Sequence, residues 1–184
     1  MQLRDTGLAF SPITIVLHWL AAALVGAILV LSVMQATASS ASQVDELRLL
    51  KALLAVVLFP LSVYRLWARL TSFHPLPVGT PNPIEVIVSR SVATALVLAT
   101  VLLPIAAWLE LSAAGQAIAL PGGYRVPALI APSEQIAKVV AFLFKLGSTA
   151  FLLGLALHIF GALKNHLVLR NDTLARMLGK KVEL

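Results

Sequence analysis

Two histidines in apolar surroundings are the residues of this chain best suited to do chemistry. His18 lies in an apolar run from Ile13 to Met34 that holds no other ionisable residue, and His158 lies in the last apolar run of the chain. A bilayer with a hydrocarbon core of roughly 30 Å is crossed by about 20 apolar residues, so both runs are long enough. An ionisable ring in lipid is costly and generally has a partner, which makes the two histidines candidates for a common site.

Four apolar segments predict the helices that carry these residues. We expect membrane-spanning helices over about 12–34, 47–67, 87–109 and 136–169. The chain is 59% hydrophobic and 12% charged, whereas soluble domains average about 25% charged residues. These features predict an all-α integral membrane protein, a four-helix up-down bundle that forms a single membrane domain over residues 1–184. The chain has no cysteine, which excludes thiolate iron–sulfur ligation, covalent c-type haem attachment and disulfides.

Basic residues concentrate on one side of the predicted bundle. That side holds Arg4, Arg65, Arg69, Arg90, Lys164, Arg170, Arg176, Lys180 and Lys181. The other side holds Arg48, Lys51, Arg125 and Lys138, offset by Asp45, Glu46, Glu110 and Glu134. The positive-inside rule therefore places both termini, including the tail 170–184, in the cytoplasm. The net charge of +6 marks this topology, and we expect no nucleic-acid partner. His74, in a proline-rich connection, is expected to be solvated.

The two histidines are expected at matching depth. His18 is six residues into the first segment and His158 is six residues before Lys164, which places each about 9 Å from the cytoplasmic edge. Two neutral imidazoles at one depth suit the axial positions of a haem iron, which would carry electrons and have no open position for a substrate. Zinc or copper would normally need a third or fourth ligand. The alternative is that each histidine only donates a hydrogen bond to a neighbouring helix.

Several stretches carry a resemblance to a known family. They are residues 15–20 (IVLHWL), 103–109 (LPIAAWL), 126–130 (VPALI), the helix with Leu157, His158 and His166, and residues 170–178 (RNDTLARML). Through them nearly the whole chain resembles the bacterial cytochrome b561 family, small four-helix haem b proteins linked to quinones. The resemblance implies a multi-pass protein of the bacterial inner membrane, with haem b held by His18 and His158.

Other polar residues near this site have alternative interpretations. Arg65 and Arg69 end the second segment and are suited to charge-assisted bonds with haem propionates, or they only mark topology. His166 matches a family position at the interface, where it would neighbour a propionate or a quinone.

The departures from the family concern a second haem. Family members carry further histidines at positions that correspond to Leu50, Ala93 and Phe144, and an acidic residue where this chain has Lys145. One haem is therefore expected in place of two. Lys51 and Lys145 lie near the missing site. Either their ammonium groups reach the lipid headgroups at the end of the aliphatic side chains, or they form a cationic pocket for an anionic small molecule, a quinone carbonyl or a lipid headgroup. Glycines recur every seven residues on one face of the fourth helix, at Gly147, Gly154 and Gly161. Such a face of small residues allows close approach of a helix or a porphyrin, or a dimer contact.

These observations favour a membrane-bound b-type cytochrome that carries electrons through a bis-histidine haem, to or from a quinone or a partner redox protein. One alternative is a haem-poor membrane anchor or binding subunit. The other is a superoxide or quinone oxidoreductase, so any enzyme activity would be quinone-linked. No catalytic residue is assigned, and a homodimer or membership of a larger membrane complex stays open.

Overall fold

Four long helices dominate the structure. The computed structural model describes residues 5–6, 9–73, 75 and 82–180, with the backbone alone at residue 119. Its helices are α1 (Pro12–Ala36), α2 (Ala41–Thr71), α3 (Pro83–Ala113), α4 (Glu134–Leu163), which continues as a π-helical turn (Lys164–Val168), and α5 (Thr173–Met177). The four long helices are apolar and long enough to span a membrane. They confirm the predicted all-α, integral membrane four-helix bundle. His74 lies outside the described residues.

Helices α2 and α3 begin earlier than the apolar segments predicted. Their first turns start at Ala41 and Pro83, where the hydrophobic runs suggested about 47 and 87. Side-chain oxygens just before the helices accept hydrogen bonds from the first free backbone N–H groups, and so fix these starts in polar sequence. The accepting residues of the four long helices are Ser11, Ser40, Asn82 and Ser133.

The chain divides into two compact units, and each long helix contributes one segment to each. The first unit takes the described parts of residues 1–20, 62–99 and 150–184, and the second takes residues 21–61 and 100–149. His18 and His158 both belong to the first unit. The prediction of a single membrane domain stays a prediction.

An ordered connection follows α3 in the second unit. Its strands β1 (Ile118–Ala119) and β2 (Arg125–Val126) pair antiparallel around a tight turn. Gly122 and Gly123 both adopt a φ of 80°, a conformation that glycine takes without steric cost. The indole of Trp108 on α3 anchors the returning chain by donating a hydrogen bond to the carbonyl of Pro127 at 2.9 Å.

The glycine row on α4 serves close packing at one of its three positions. A Cβ at Gly147 would lie 3.3 Å from Leu103 Cδ2, closer than side-chain atoms ordinarily approach, so this glycine lets α3 come near the backbone of α4. A Cβ at Gly154 would lie 3.5 Å from Leu96 Cδ2, which is an ordinary contact distance. A Cβ at Gly161 would have no neighbouring atom within 4 Å.

Large apolar side chains on the long helices point outward. Val30, Val33 and Leu153, for example, are at least 60% exposed. In water such surfaces would be costly, whereas in a bilayer the acyl chains solvate them. The polar groups enclosed by the helices are therefore the ones that call for an explanation.

Candidate haem-ligand site

His18 on α1 and His158 on α4 lie side by side in the first unit. Their ring centroids are 6.1 Å apart, and the ring planes are inclined by 55°. Both side chains are half-buried. Two imidazoles bound to opposite sides of one metal ion, each at about 2.0–2.1 Å through a ring nitrogen, would have centroids about 6.3 Å apart. The separation of the two rings therefore fits a pair of axial ligands on one iron.

The surroundings of the pair suit a metal that brings further ligands with it. Within the described ranges, no third His, Cys, Asp or Glu joins the two histidines to make a metal-binding set. Zinc sites take three or four protein ligands, whereas a haem iron receives four nitrogens from the porphyrin and needs only axial ligands from the protein. A Cβ at Gly161, one turn after His158, would have no neighbouring atom within 4 Å.

Arg65 on α2 contacts one histidine of the pair directly. Its Nη2 lies 3.3 Å from Nδ1 of His18. Arginine carries only donors, so in this arrangement Nδ1 accepts and the ring proton lies on Nε2. The half-buried guanidinium thus places a positive charge beside a candidate ligand.

Arg69 and His166 are placed differently. The guanidinium of Arg69 is directed to α3, where its Nε donates to Thr94 Oγ1 and its Nη2 donates to the carbonyl of Arg90, both at 3.3 Å. His166 lies in the π-helical turn with an exposed side chain. It is eight residues beyond His158, which is about 12 Å along a helix axis. The structure therefore brings together His18, His158 and Arg65, and the roles given to Arg69 and His166 stay predictions.

Trp19 links the candidate ligand to the C-terminal helix. Its ring contacts that of His18 edge-on, with centroids 5.4 Å apart and planes at 85°. Its Nε1 donates a hydrogen bond to the carbonyl of Met177 at 2.8 Å, across 158 positions of sequence. Arg176, the residue before Met177, is buried. In the sequence, the motifs around His18 and Arg176 are separate, and nothing in them predicts that Trp19 contacts the C-terminal helix.

A second set of polar contacts holds the end of α4. Lys164 forms an ion pair with Glu85 at the start of α3, with 2.9 Å between Nζ and Oε1. Asn165 donates to the carbonyl of Gly161 at 2.8 Å and accepts from the amide of Asn171 at 2.6 Å. These bonds stabilise the π-helical turn and direct the chain from α4 toward α5.

The positions that the resemblance assigns to a second haem site lie mostly in the second unit. Leu50 is exposed and Phe144 is half-buried, and neither can ligate a metal. The side chain of Lys145 is exposed and that of Lys51 is half-buried. Exposure of Lys145 agrees with an ammonium that reaches the headgroups, and the pocket alternative stays a prediction.

Replacement of Trp19 by phenylalanine is expected to loosen α5. W19F keeps an aromatic ring beside His18 but removes the hydrogen bond to Met177, whose loss costs about 1 kcal/mol, or about fivefold in an opening equilibrium. Amide hydrogen exchange of Thr173–Met177 should therefore be about fivefold faster, while the helical content is unchanged.

A matched control is W67F, because the indole of Trp67 lies against the ring of Tyr64 at 5.7 Å in the same unit. W67F should leave exchange in α5 at the level of the unaltered protein. Equal exchange rates in W19F and the unaltered protein would show that the Trp19 hydrogen bond does not hold the tail.

Comparison with known proteins agrees with this arrangement. Residues 9–180 match a protein family described as prokaryotic cytochrome b561. The chain is also 30% identical over 185 residues to the Escherichia coli (strain K12) protein named cytochrome b561 homolog 2. That alignment covers 98% of this chain and 96% of the relative, so the similarity includes every helix described above.

Proposed function

Because this chain belongs to the prokaryotic cytochrome b561 family, whose members are membrane b-type haem proteins of electron transfer, we propose that it carries electrons through one haem b, which His18 and His158 would hold. The observation that carries the proposal is the 6.1 Å separation of the two rings. A bis-histidine haem supplies one-electron chemistry without an open coordination position.

The two histidines would hold the group, each through one ring nitrogen. The other ring nitrogen then carries the proton and needs an acceptor, since ligating histidines almost always donate their second N–H. Arg65 cannot be that acceptor. Ligation of His18 through Nε2 would therefore move its proton to Nδ1 and release the guanidinium of Arg65, which now contacts Nδ1.

Arg65 is the residue best placed to bind a propionate. It is half-buried, and in the described part of the chain no carboxylate oxygen lies within 4.0 Å of it. A charge-assisted bond to a propionate would satisfy the guanidinium in a poorly hydrated position. The positive charge would also favour the reduced form of the haem.

The chain is a multi-pass protein of the inner membrane. The charge asymmetry of its connections supports cytoplasmic termini, which would place the histidine pair toward the cytoplasmic face. We propose that a quinone or a partner redox protein exchanges electrons there, with the exposed His166 as a neighbouring residue.

Optical spectroscopy of the purified protein tests this function. We expect sharp α and β bands on reduction and no change on adding carbon monoxide, because both axial positions are occupied. Anaerobic reoxidation should then be at least about tenfold faster with a soluble quinone or the physiological redox partner than with buffer, since specific binding orients the reactants.

The other outcomes separate the alternatives. A spectral shift with carbon monoxide would contradict bis-histidine ligation. Absence of stoichiometric haem would favour a membrane anchor, an interpretation that the apolar residues at positions 50, 93 and 144 motivate. Haem reduction by superoxide, followed by quinone-dependent reoxidation, would favour the oxidoreductase.

A further inference from the structure

Two arginines form a cluster of their own where α2 and α3 meet in the first unit. The guanidinium of Arg69 is held by the Thr94 hydroxyl and by the carbonyl of Arg90, both at 3.3 Å. The hydroxyl of Thr94 donates to the same carbonyl at 2.8 Å. These neutral acceptors fix the orientation of the Arg69 side chain but leave its charge in place. We call Arg69, Arg90 and Thr94 the Arg69–Arg90 cluster.

Like charges adjoin one another in and beside this cluster. Arg69 interacts electrostatically with the like charge of Arg90, and Arg65 with that of Arg69. Among the described residues no carboxylate oxygen lies within 4.0 Å of any of these three guanidinium groups. Asp5 attracts Arg69 from a longer distance, while its Oδ1 accepts a hydrogen bond from the backbone of Ser11 at 2.7 Å. Like charges this close are unfavourable unless an anion joins them.

The ends of the predicted spans place the cluster at the expected edge of the hydrocarbon region. Arg69 is two residues before the end of α2 at Thr71, and Arg90 directly precedes the most apolar part of α3. Large apolar side chains flank it and are open to the lipid: Leu70 is 72% exposed and Ile87 is 65% exposed. A cationic group and an apolar surface therefore adjoin each other at the depth of the headgroups.

We propose that the Arg69–Arg90 cluster binds the phosphate of an anionic phospholipid, whose acyl chains lie along Leu70 and Ile87. Guanidinium groups bind phosphate oxygens in a bidentate manner, and basic pockets between membrane helices hold such headgroups. A haem propionate is the less suitable anion, because Arg65 alone of the three arginines contacts His18, and Arg69 is tied to α3. The proposal does not depend on the haem ligands.

The test measures lipid binding by the delipidated holoprotein in detergent. Phosphatidylglycerol is expected to bind near one molecule per polypeptide and to raise the thermal unfolding temperature, whereas phosphatidylcholine and inorganic phosphate have much smaller effects. R69Q/R90Q should weaken phosphatidylglycerol binding at least about tenfold, since each juxtamembrane basic residue contributes appreciably. The charge-matched control R48Q/R125Q changes two arginines of the second unit and should bind as the unaltered protein does. R69K/R90K, which keeps both charges, should retain part of the affinity.

Three results would overturn the proposal. Equal binding of phosphatidylglycerol and phosphatidylcholine would show that the cluster does not recognise a charged headgroup. Equal stabilisation by inorganic phosphate would show a site for a free oxyanion. A parallel loss of haem in R69Q/R90Q would assign the cluster to the propionates. Circular dichroism of each variant distinguishes these results from failure to fold, and R69K/R90K provides the comparison if the glutamine variants are unstable.

Discussion

The H158A protein is expected to contain less than about a tenth of the haem of the unaltered protein. Changes next to a ligand already lower metal affinity about 10- to 100-fold, so loss of the ligand itself should lower it at least as much. Any haem that remains would be five-coordinate and would bind carbon monoxide. The measurements are haem per polypeptide by pyridine haemochrome and the reduced spectrum with and without carbon monoxide. H18A is expected to behave in the same way.

H166A is the matched control, because it removes an exposed histidine from the same segment of chain. It should keep the full haem content and the six-coordinate spectrum. H158G with added imidazole should recover that spectrum, since the free ligand can occupy the vacated position. An unaltered six-coordinate spectrum in H158A would show that His158 is not a ligand. If H158A loses helical content, the test of His158 as a ligand is the H158G protein with added imidazole. Failure of imidazole to restore the six-coordinate spectrum would then contradict ligation by His158.

The helices and the proximity of the two histidines could be predicted, because they follow from the lengths of apolar runs and from residue counts along them. Apolar runs of bilayer length determine the four long helices, and residue counts from the basic edge place His18 and His158 at one depth. The ends of α2 and α3 were less accurately predicted. Hydropathy marks where lipid begins, while capping by Ser40 and Asn82 marks where the helix begins.

The partners of individual polar side chains could not be predicted in this way. Arg65 and Arg69 are one helical turn apart and were assigned the same role, yet the first contacts His18 and the second is bound to α3. That difference depends on the side-chain conformation of each arginine and on which helix packs beside α2 at its level. The hydrogen bond from Trp19 to Met177 depends on the course of the tail after the π-helical turn. Neither property is determined by hydropathy or by residue spacing.

We expect the purified protein to contain one haem per polypeptide. The resemblance places the further histidines of a second haem site at positions 50, 93 and 144, and these hold leucine, alanine and phenylalanine. None of these side chains has an atom that can bind iron, so no rearrangement of rotamers can restore the site. Pyridine haemochrome against quantitative amino-acid analysis should give a ratio near one. A potentiometric titration should show a single one-electron step.

The double variant H18A/H158A tests whether the chain has a second haem site, because it removes both proposed ligands and leaves the rest of the chain unchanged. Its haem content should be near zero, whereas a ratio near one would reveal a second site elsewhere. A ratio near two in the unaltered protein would contradict the loss of that site.

A single haem about 9 Å from one edge leaves about 20 Å of the hydrocarbon core without a carrier. Electrons should therefore enter and leave on the same side of the membrane, and an impermeant reductant should reduce the haem from one side of sealed vesicles only.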